Sequence, residues 1–298
     1  MTSTEKTWTI KEIIDWTCGF LQRHGDEHPR LSAEWLLCDV MGLSRVDLYV
    51  NYDRPLTPDE RSRMRAAVQR RAAGEPLQYV TGETAFRHIV LRCERGVLIP
   101  RPETEVLVDA ALEGVDAATK AAGGIPPRVL EVGCGTGCIS LSIAYERKGA
   151  QVTATDLSSA AVDLAVRNRD SLGLSGAVDI VECDLASGVD PDLMGTFAVL
   201  VSNPPYIPTG DIEGLDHSVK DYEPHVALDG GADGLDFYRF IAAKWKNAIR
   251  LGGSLIFEVG IGQAPDVENI LAQNGFEQIQ TTADTQGIWR VVEGTING

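Results

Sequence analysis

The sequence predicts an α/β chain built on a doubly wound, seven-stranded, mostly parallel sheet with an antiparallel last strand, plus a small all-helical amino-terminal domain joined to it by a β-hairpin. Three observations predict it. From Arg128 onward, short apolar runs alternate with helical patterns, as parallel βαβ units require. Before residue 80, apolar residues recur at helical spacing between breaks at Gly25, Pro29, Gly42, Pro55, Gly74 and Pro76. The last two apolar runs are joined by a loop too short for a crossover helix, so they should pair antiparallel.

Residues 1–78 read as a helical bundle carried by Trp8, Ile10, Ile14, Leu21, Trp35, Leu36, Leu37 and Val40. Thr57-Pro58-Asp59-Glu60 opens a helix bearing Arg61, Arg63, Arg65, Arg70 and Arg71, which reads either as a solvated face or as a docking patch for a partner. Residues 79–100 turn β-rich at Tyr79-Val80-Thr81, Phe86, His88–Cys93 and Val97–Ile99, a linking hairpin with Glu94-Arg95-Gly96 available as its turn. Residues 101–298 form the second domain, in which Pro100–Glu105 opens an amphipathic helix through about Ala118. Strands follow at Arg128–Val132, Gln151–Asp156, Val178–Cys183, Phe197–Ser202, Ser254–Val259, Phe276–Thr281 and Ile288–Glu293. Helices are expected at Cys138–Arg147, Ser159–Leu172, around Asp236–Arg250, and at Ala264–Gln273.

The chain has 298 residues, 44% of them hydrophobic, which is ample for packed cores. No apolar run approaches the roughly 18 residues that cross a bilayer, and the first residues lack a secretory pattern, so the expected compartment is the cytoplasm, with no membrane partner. Cys18, Cys38, Cys93, Cys134, Cys138 and Cys183 form no C-x-x-C pair and read as reduced thiols. The histidines show no metal-binding spacing, so no metal is expected. Net charge is −16, and residues 81–298 carry −15 of it. A body that acidic repels a phosphate backbone, so no direct nucleic-acid partner is expected.

Val129–Gly137 is a strand followed by a glycine-rich turn that opens a helix, so backbone can approach a ligand closely. Its G-x-G-x-G spacing departs from the dinucleotide fingerprint, where Cys138 holds the place of the last glycine. Asp156, ending the next strand, can accept hydrogen bonds from both hydroxyls of a ribose. A nucleoside ligand follows. Asp184-Leu185, after the third strand, stands where an adenine can be hydrogen-bonded and sandwiched, or is simply a capped loop. Val199–Tyr206 is a buried strand that stops at Asn203-Pro204-Pro205-Tyr206. Two prolines lock φ and remove backbone donors, which leaves Asn203 on a stiff ledge. The Asn203 side-chain carbonyl and the Pro204 carbonyl can each accept a hydrogen bond from a planar NH2 group, and Tyr206 adds an aromatic face. Asn-Pro is also a common turn dipeptide.

These segments resemble the class I S-adenosylmethionine-dependent methyltransferases, and more closely the release-factor glutamine methyltransferases, which modify the glutamine of the Gly-Gly-Gln motif in peptide chain release factors. The resemblance runs nearly end to end, through Gly74–Tyr79, Leu98–Glu105, Glu131–Gly137, Asn203–Tyr206 and Tyr222–Leu228, and Ile99–Glu105 is its most specific part. It implies a methyl-donor site at Gly133, Cys134, Gly135, Thr136, Gly137, Asp156, Leu185 and Asn203. It also implies that Asn203, Pro204, Pro205 and Tyr206 hold the substrate amide, with Asn203, Pro204 and Tyr206 catalytic. Residues 1–78 would dock the protein substrate. Two departures from the family pattern are Phe86-Arg87-His88, in place of Phe-aromatic-Gly, and Leu185, where an aromatic is common.

The chemistry suits those residues on its own terms. A carboxamide nitrogen is a poor nucleophile, so a site must orient it and exclude water, and neither a metal nor a covalent intermediate is required. Two enzyme alternatives remain, an adenine-N6 methyltransferase on RNA or DNA and a glutamine methyltransferase acting on a ribosomal protein. A donor-binding module without turnover is the non-enzymatic alternative. Charge argues against nucleic acid, and the intact ledge argues against lost turnover.

Overall fold

The computed structural model describes residues 7–297. The chain divides into two compact units: residues up to Glu83 with Asp216–Tyr222, and Thr84–Leu215 with the chain from Glu223 onward. The first unit holds α1 (Ile10–Arg23), α2 (Pro29–Met41), α3 (Arg45–Val50), α4 (Pro58–Ala72) and α5 (Leu77–Thr81). Capping boxes Thr9/Glu12, Ser44/Asp47 and Thr57/Glu60 start α1, α3 and α4, each satisfying backbone donors that a helix start leaves open. The apolar stripes meet in one core of Ile10, Ile14, Leu21, Leu36, Leu37 and Met64. Within it Glu34, 1% exposed, accepts from Arg30, Arg45 and Tyr49 at 2.7, 2.6 and 2.6 Å. The arginines of α4 are largely engaged inside the unit: Arg63 with Asp59, Arg70 with Glu75 and Arg71 with Asp26. Arg65 is exposed at an apolar groove lined by Trp8, Trp16 and Phe20.

The linking segment differs from the sequence expectation. Tyr79-Val80-Thr81 is helical, in α5, because Pro76 opens a turn that Gly82 closes in the left-handed region. The hairpin is β1 (Glu83–Phe86) with β2 (Ile89–Arg92), and it turns at Arg87-His88 rather than at Glu94-Arg95-Gly96. Arg87 takes a φ of 49°, a strained value for a side-chain-bearing residue, and is held there by ion pairs of 2.7 Å to both Asp109 and Glu146. Val97–Ile99 forms no strand.

In the second unit α6 (Thr104–Ala121) leads into β3 (Arg128–Val132), α7 (Cys138–Glu146), β4 (Gln151–Asp156), α8 (Ser159–Ser171), β5 (Val178–Glu182) and β6 (Phe197–Ser202). After the excursion that carries α9 (His217–Lys220) come α10 (Asp236–Lys244), β7 (Ile249–Glu258), α11 (Ala264–Gln273), β8 (Glu277–Ala283) and β9 (Trp289–Thr295). The seven strands lie in the order β5-β4-β3-β6-β7-β9-β8, parallel through β7, with β9 antiparallel to both neighbours. The α10 helix stops six residues short of the expected Arg250, and β7 begins five residues before Ser254, where Ile249 pairs with Phe197 across a bulge.

Alternation along the strands feeds two cores. Val129, Val199 and Ile256 face α6 and α7, while their neighbours Leu130, Leu200 and Leu255 face α10 and α11. A sheet buried on both faces leaves its strand ends as the places for polar groups. Among the described residues no helix is long and apolar enough to cross a membrane. Replacing Leu107, fully buried in the α6 core, by Ala should destabilise the second unit by about 2–5 kcal/mol. Urea unfolding would report this as a lower midpoint at constant slope, and an unmoved midpoint would remove Leu107 from that core.

Candidate active site

The carboxyl ends of β3, β4 and β6 converge on one cavity of about 320 Å³, within the roughly 300–1,000 Å³ of small-molecule sites. After β3 the chain turns through Gly133, Gly135 and Gly137, with φ of 78°, 54° and 82°. Gly137 caps α7 in the left-handed region, and a Cβ there would meet Leu141 at 2.9 Å, so only glycine fits. The Gly133 and Cys134 amides both donate to the Thr155 carbonyl at 2.9 Å, which seats the turn on β4. Asp156 clamps the other side: Oδ2 accepts from the Gly135 amide at 2.8 Å and Oδ1 from the Ser158 amide at 2.9 Å. Each oxygen keeps a second lone pair.

Gly133, Gly135, Asp156, Leu185, Asn203, Pro204 and Pro205 line the cavity together with Asp184. Three other residues of the turn do not line it. Cys134 and Thr136 are 3% and 2% exposed, and Gly137 packs on Leu141 and Ala165. Tyr206 also stays out of the lining: its ring packs against the α10–α11 core, and its carbonyl accepts from Gln263 Nε2 at 2.9 Å. Burial pushes its phenol up to about 12. Leu185 adopts a φ of 52°, uncommon for a leucine.

Asn203 is half-buried at the end of β6, and its Nδ2 donates to Thr104 Oγ1 at 3.3 Å. The ledge is anchored one residue earlier, where Ser202 Oγ donates to the Val132 carbonyl at 2.7 Å. Pattern reasoning assigned no role to the Gly96-Val97-Leu98 strap, to Pro224, Val226 and Ala227, or to Phe237, all of which line the cavity. The segments Leu98–Glu105 and Tyr222–Leu228, singled out by resemblance, contain Leu98, Pro224, Val226 and Ala227, while nothing in the sequence pointed to Gly96, Val97 or Phe237 as cavity residues. Glu223, 5% exposed, ties the two straps: one carboxylate oxygen accepts from the Ile99 amide at 3.2 Å and the other from Arg101. Among the described residues no group of His, Cys, Asp or Glu is placed to hold a metal ion.

The residues present fit a nucleoside methyl donor. A Cβ at Gly133 would project into open space, so the turn presents bare backbone to a ligand. Asp156 offers carboxylate lone pairs, and Val97, Leu157 and Ala161 supply apolar walls. This sheet order, with a glycine turn after the first strand, a carboxylate ending the second and the Asn-Pro-Pro-Tyr ledge ending the fourth, defines an enzyme of the class I methyltransferase architecture.

Residues 12–82 match the family model described as PrmC N-terminal domain, and residues 114–214 match the methyltransferase small domain. The release factor glutamine methyltransferase of Geobacter sulfurreducens is 44% identical over 99% of this chain and 100% of its own length. That of Chlorobaculum tepidum is 40% identical over 94% of this chain and 95% of its own. Among solved structures, the T. thermophilus 16S rRNA N2 methyltransferase RsmC, in complex with AdoMet and guanosine, matches at a TM-score of 0.50 and 18% identity, covering 72% of this chain and 50% of that one; this is a likeness of fold. The chain belongs to the release factor glutamine methyltransferase family.

Glu131 lies fully buried below the turn, with Oε2 accepting from the Ser140 amide at 2.9 Å and Oε1 without a partner. Burial pushes its carboxyl up to about 8, against the lowering effect of the Ser140 hydrogen bonds. A carboxyl raised on folding favours the fold while protonated, and that stability is lost as pH rises from the unfolded value through about 8. Glu131→Gln, a neutral mimic, should therefore gain melting temperature over the wild type more at about pH 9 than at about pH 5. Scanning calorimetry that finds equal differences at both would show that Glu131 is not the group titrating.

Proposed function

We propose that the enzyme methylates the side-chain amide nitrogen of the glutamine in the Gly-Gly-Gln motif of peptide chain release factors, with S-adenosylmethionine as donor, in the cytoplasm. The observation that carries the reading is the orientation of Asn203, whose NH2 is turned to Thr104 so that its carbonyl is left for a ligand in the cavity. A nucleic-acid substrate is disfavoured by the −15 carried by residues 81–298. No feature of the site points specifically to a ribosomal protein.

When bound, S-adenosylmethionine supplies an electrophilic methyl group on a sulfonium. Gly133, Gly135, Asp156 and Leu185 would hold it. Asn203 Oδ1 and the Pro204 carbonyl accept the two hydrogens of the substrate amide, which orients its nitrogen and favours positive charge developing there. The stiffness of two consecutive prolines keeps both acceptors in place without reorganisation. Pro205 completes the ledge. Tyr206, packed behind it, supports the ledge from the core. The proton leaves to solvent after transfer.

We assign substrate docking to residues 1–78 and catalysis to residues 101–298, with residues 79–100 linking the two and adding the Gly96-Val97-Leu98 wall of the cavity. Support comes from Arg65, exposed beside the Trp8, Trp16 and Phe20 groove, on a unit far less acidic than the catalytic body. Arg65→Glu should raise KM for an intact release factor and leave the rate on a short glutamine peptide alone; an unchanged KM would return Arg65 to an ordinary solvated position.

Incubation with labelled donor and either release factor or total RNA, followed by mass spectrometry of the release-factor peptide, tests the reaction; label in RNA alone would overturn it. Asn203→Ala should lower turnover by about 10²–10³ with the donor saturating, and wild-type turnover would reduce the ledge to a turn. Asp156→Asn, which keeps one acceptor oxygen and loses the charge, should weaken donor affinity by about tenfold or more, since charge-assisted hydrogen bonds contribute roughly 1.5–3 kcal/mol each. Calorimetry showing an unmoved Kd would remove Asp156 from the donor site.

A further inference from the structure

Asn203 has an orientation that its own backbone does not decide. The oxygen and nitrogen of an amide are nearly the same size, so either can face the cavity, and the groups behind it choose. Directly behind is Thr104, 1% exposed, whose Oγ1 accepts from Asn203 Nδ2. A hydroxyl donates as readily as it accepts, so Thr104 alone would tolerate either orientation. Glu258, the last residue of β7, lies beside them, since Phe257 pairs with Ser202 just before Asn203; it is 2% exposed, its Oε2 lacks a partner, and Thr104 and Asn203 are the polar side chains that lower its carboxyl against the effect of burial. An ionised carboxylate can only accept. Left in an apolar core, it draws every available donor toward itself.

We infer that Glu258 is a positioning residue which, together with Thr104, sets the direction of the Asn203 amide so that its carbonyl, and not its NH2, meets the substrate amide. The inference rests on the reading of Asn203 as acceptor of the substrate hydrogens, and it supplies the reason that reading needs. With Glu258 ionised, the Thr104 hydroxyl donates to the carboxylate, a Thr104 lone pair accepts from Asn203 Nδ2, and Asn203 Oδ1 is free for the cavity. With a hydrogen-bond donor at position 258 the chain can reverse. Thr104 then accepts from that donor and gives its hydrogen to Asn203 Oδ1, and the Asn203 NH2 is turned toward the substrate NH2. Two donors face each other, and no productive complex forms.

Protonation of Glu258 produces the same reversal. The groups that bear on its charge are Arg290 on β9, which favours ionisation, and Glu103 before α6, which opposes it; the Tyr206 and Tyr238 phenols and the Cys138 thiol also lie within its field. Burial is the largest influence and pushes the carboxyl up to about 7. The relay is therefore complete above that pH and fails below it.

The test compares wild type with Glu258→Gln, Thr104→Val and Thr104→Ser on a glutamine-containing peptide. Glu258→Gln and Thr104→Val should lower kcat/KM by about 10–10²-fold, less than loss of the direct contact, while donor Kd from calorimetry stays within about twofold. Thr104→Ser keeps the hydroxyl and should restore activity. The kcat/KM of the wild type should fall as pH drops below about 7, a limb that Glu258→Gln lacks. The Asn203 side-chain NH2 resonances should shift in Glu258→Gln without peptide or donor present, a change that a general loss of packing would spread over the whole spectrum. Should Glu258→Gln not fold, the Thr104 pair and the wild-type acid limb decide. Wild-type kcat/KM in both Glu258→Gln and Thr104→Val, with Asn203→Ala slow, overturns this inference and leaves the proposed function standing. Wild-type turnover in Asn203→Ala overturns both.

Discussion

The parallel pairing of β3 with β6 is the constraint on which the rest of the site depends. Val129, Leu130 and Glu131 run beside Val199, Leu200 and Val201 in register, and the last pairing interaction is carried by Ser202 Oγ on the Val132 carbonyl. Both strands are buried on both faces, so neither can slip without moving apolar side chains out of two cores. The glycine turn that follows β3 and the asparagine that follows β6 are consequently delivered to the same edge of the sheet. This is the point at which the connections depart in opposite directions, β4 on one side and β7 on the other, and an open crevice is unavoidable there.

Around that crevice the fold carries carboxylates in distinct roles, Asp156 partly exposed and Glu131, Glu223 and Glu258 buried. Asp156 stiffens the glycine turn through two backbone amides while keeping lone pairs outward. Glu223 joins the two straps that wall the cavity. Glu131 and Glu258 are each raised toward neutrality by burial and each keep an oxygen without a partner. Such groups weaken a core. Their position beneath the glycine turn and beneath Asn203 connects that cost to the polar work of the site.

Charge separates the two units. The second is strongly acidic, while the first is near balance and holds most of its α4 arginines in ion pairs with its own acids. Those pairs explain why a cluster of five arginines on one helix is not a free basic patch. A protein substrate read through apolar and mixed-charge contacts suits such a surface better than a polyphosphate does.

Much of the fold was legible in the chain itself. β3, β4, β6 and α11 begin and end where periodicity placed them, because strands and helices bounded by Gly, Pro and Asp carry their limits locally. The hairpin was misplaced because its turn is made by Arg87 at positive φ, a conformation sustained by Asp109 and Glu146 from distant elements and not by any turn residue in the segment. At the site, the glycine turn, Asp156 and the Asn-Pro-Pro-Tyr ledge were readable because each is a backbone requirement written in residue type. Which members of the turn face the cavity, the placement of Tyr206 behind the ledge, and the approach of Thr104 and Glu258 to Asn203 were decided only by the tertiary structure. Thr104 is 99 residues from Asn203, and no local pattern encodes a contact that exists only once α6, β6 and β7 have packed together.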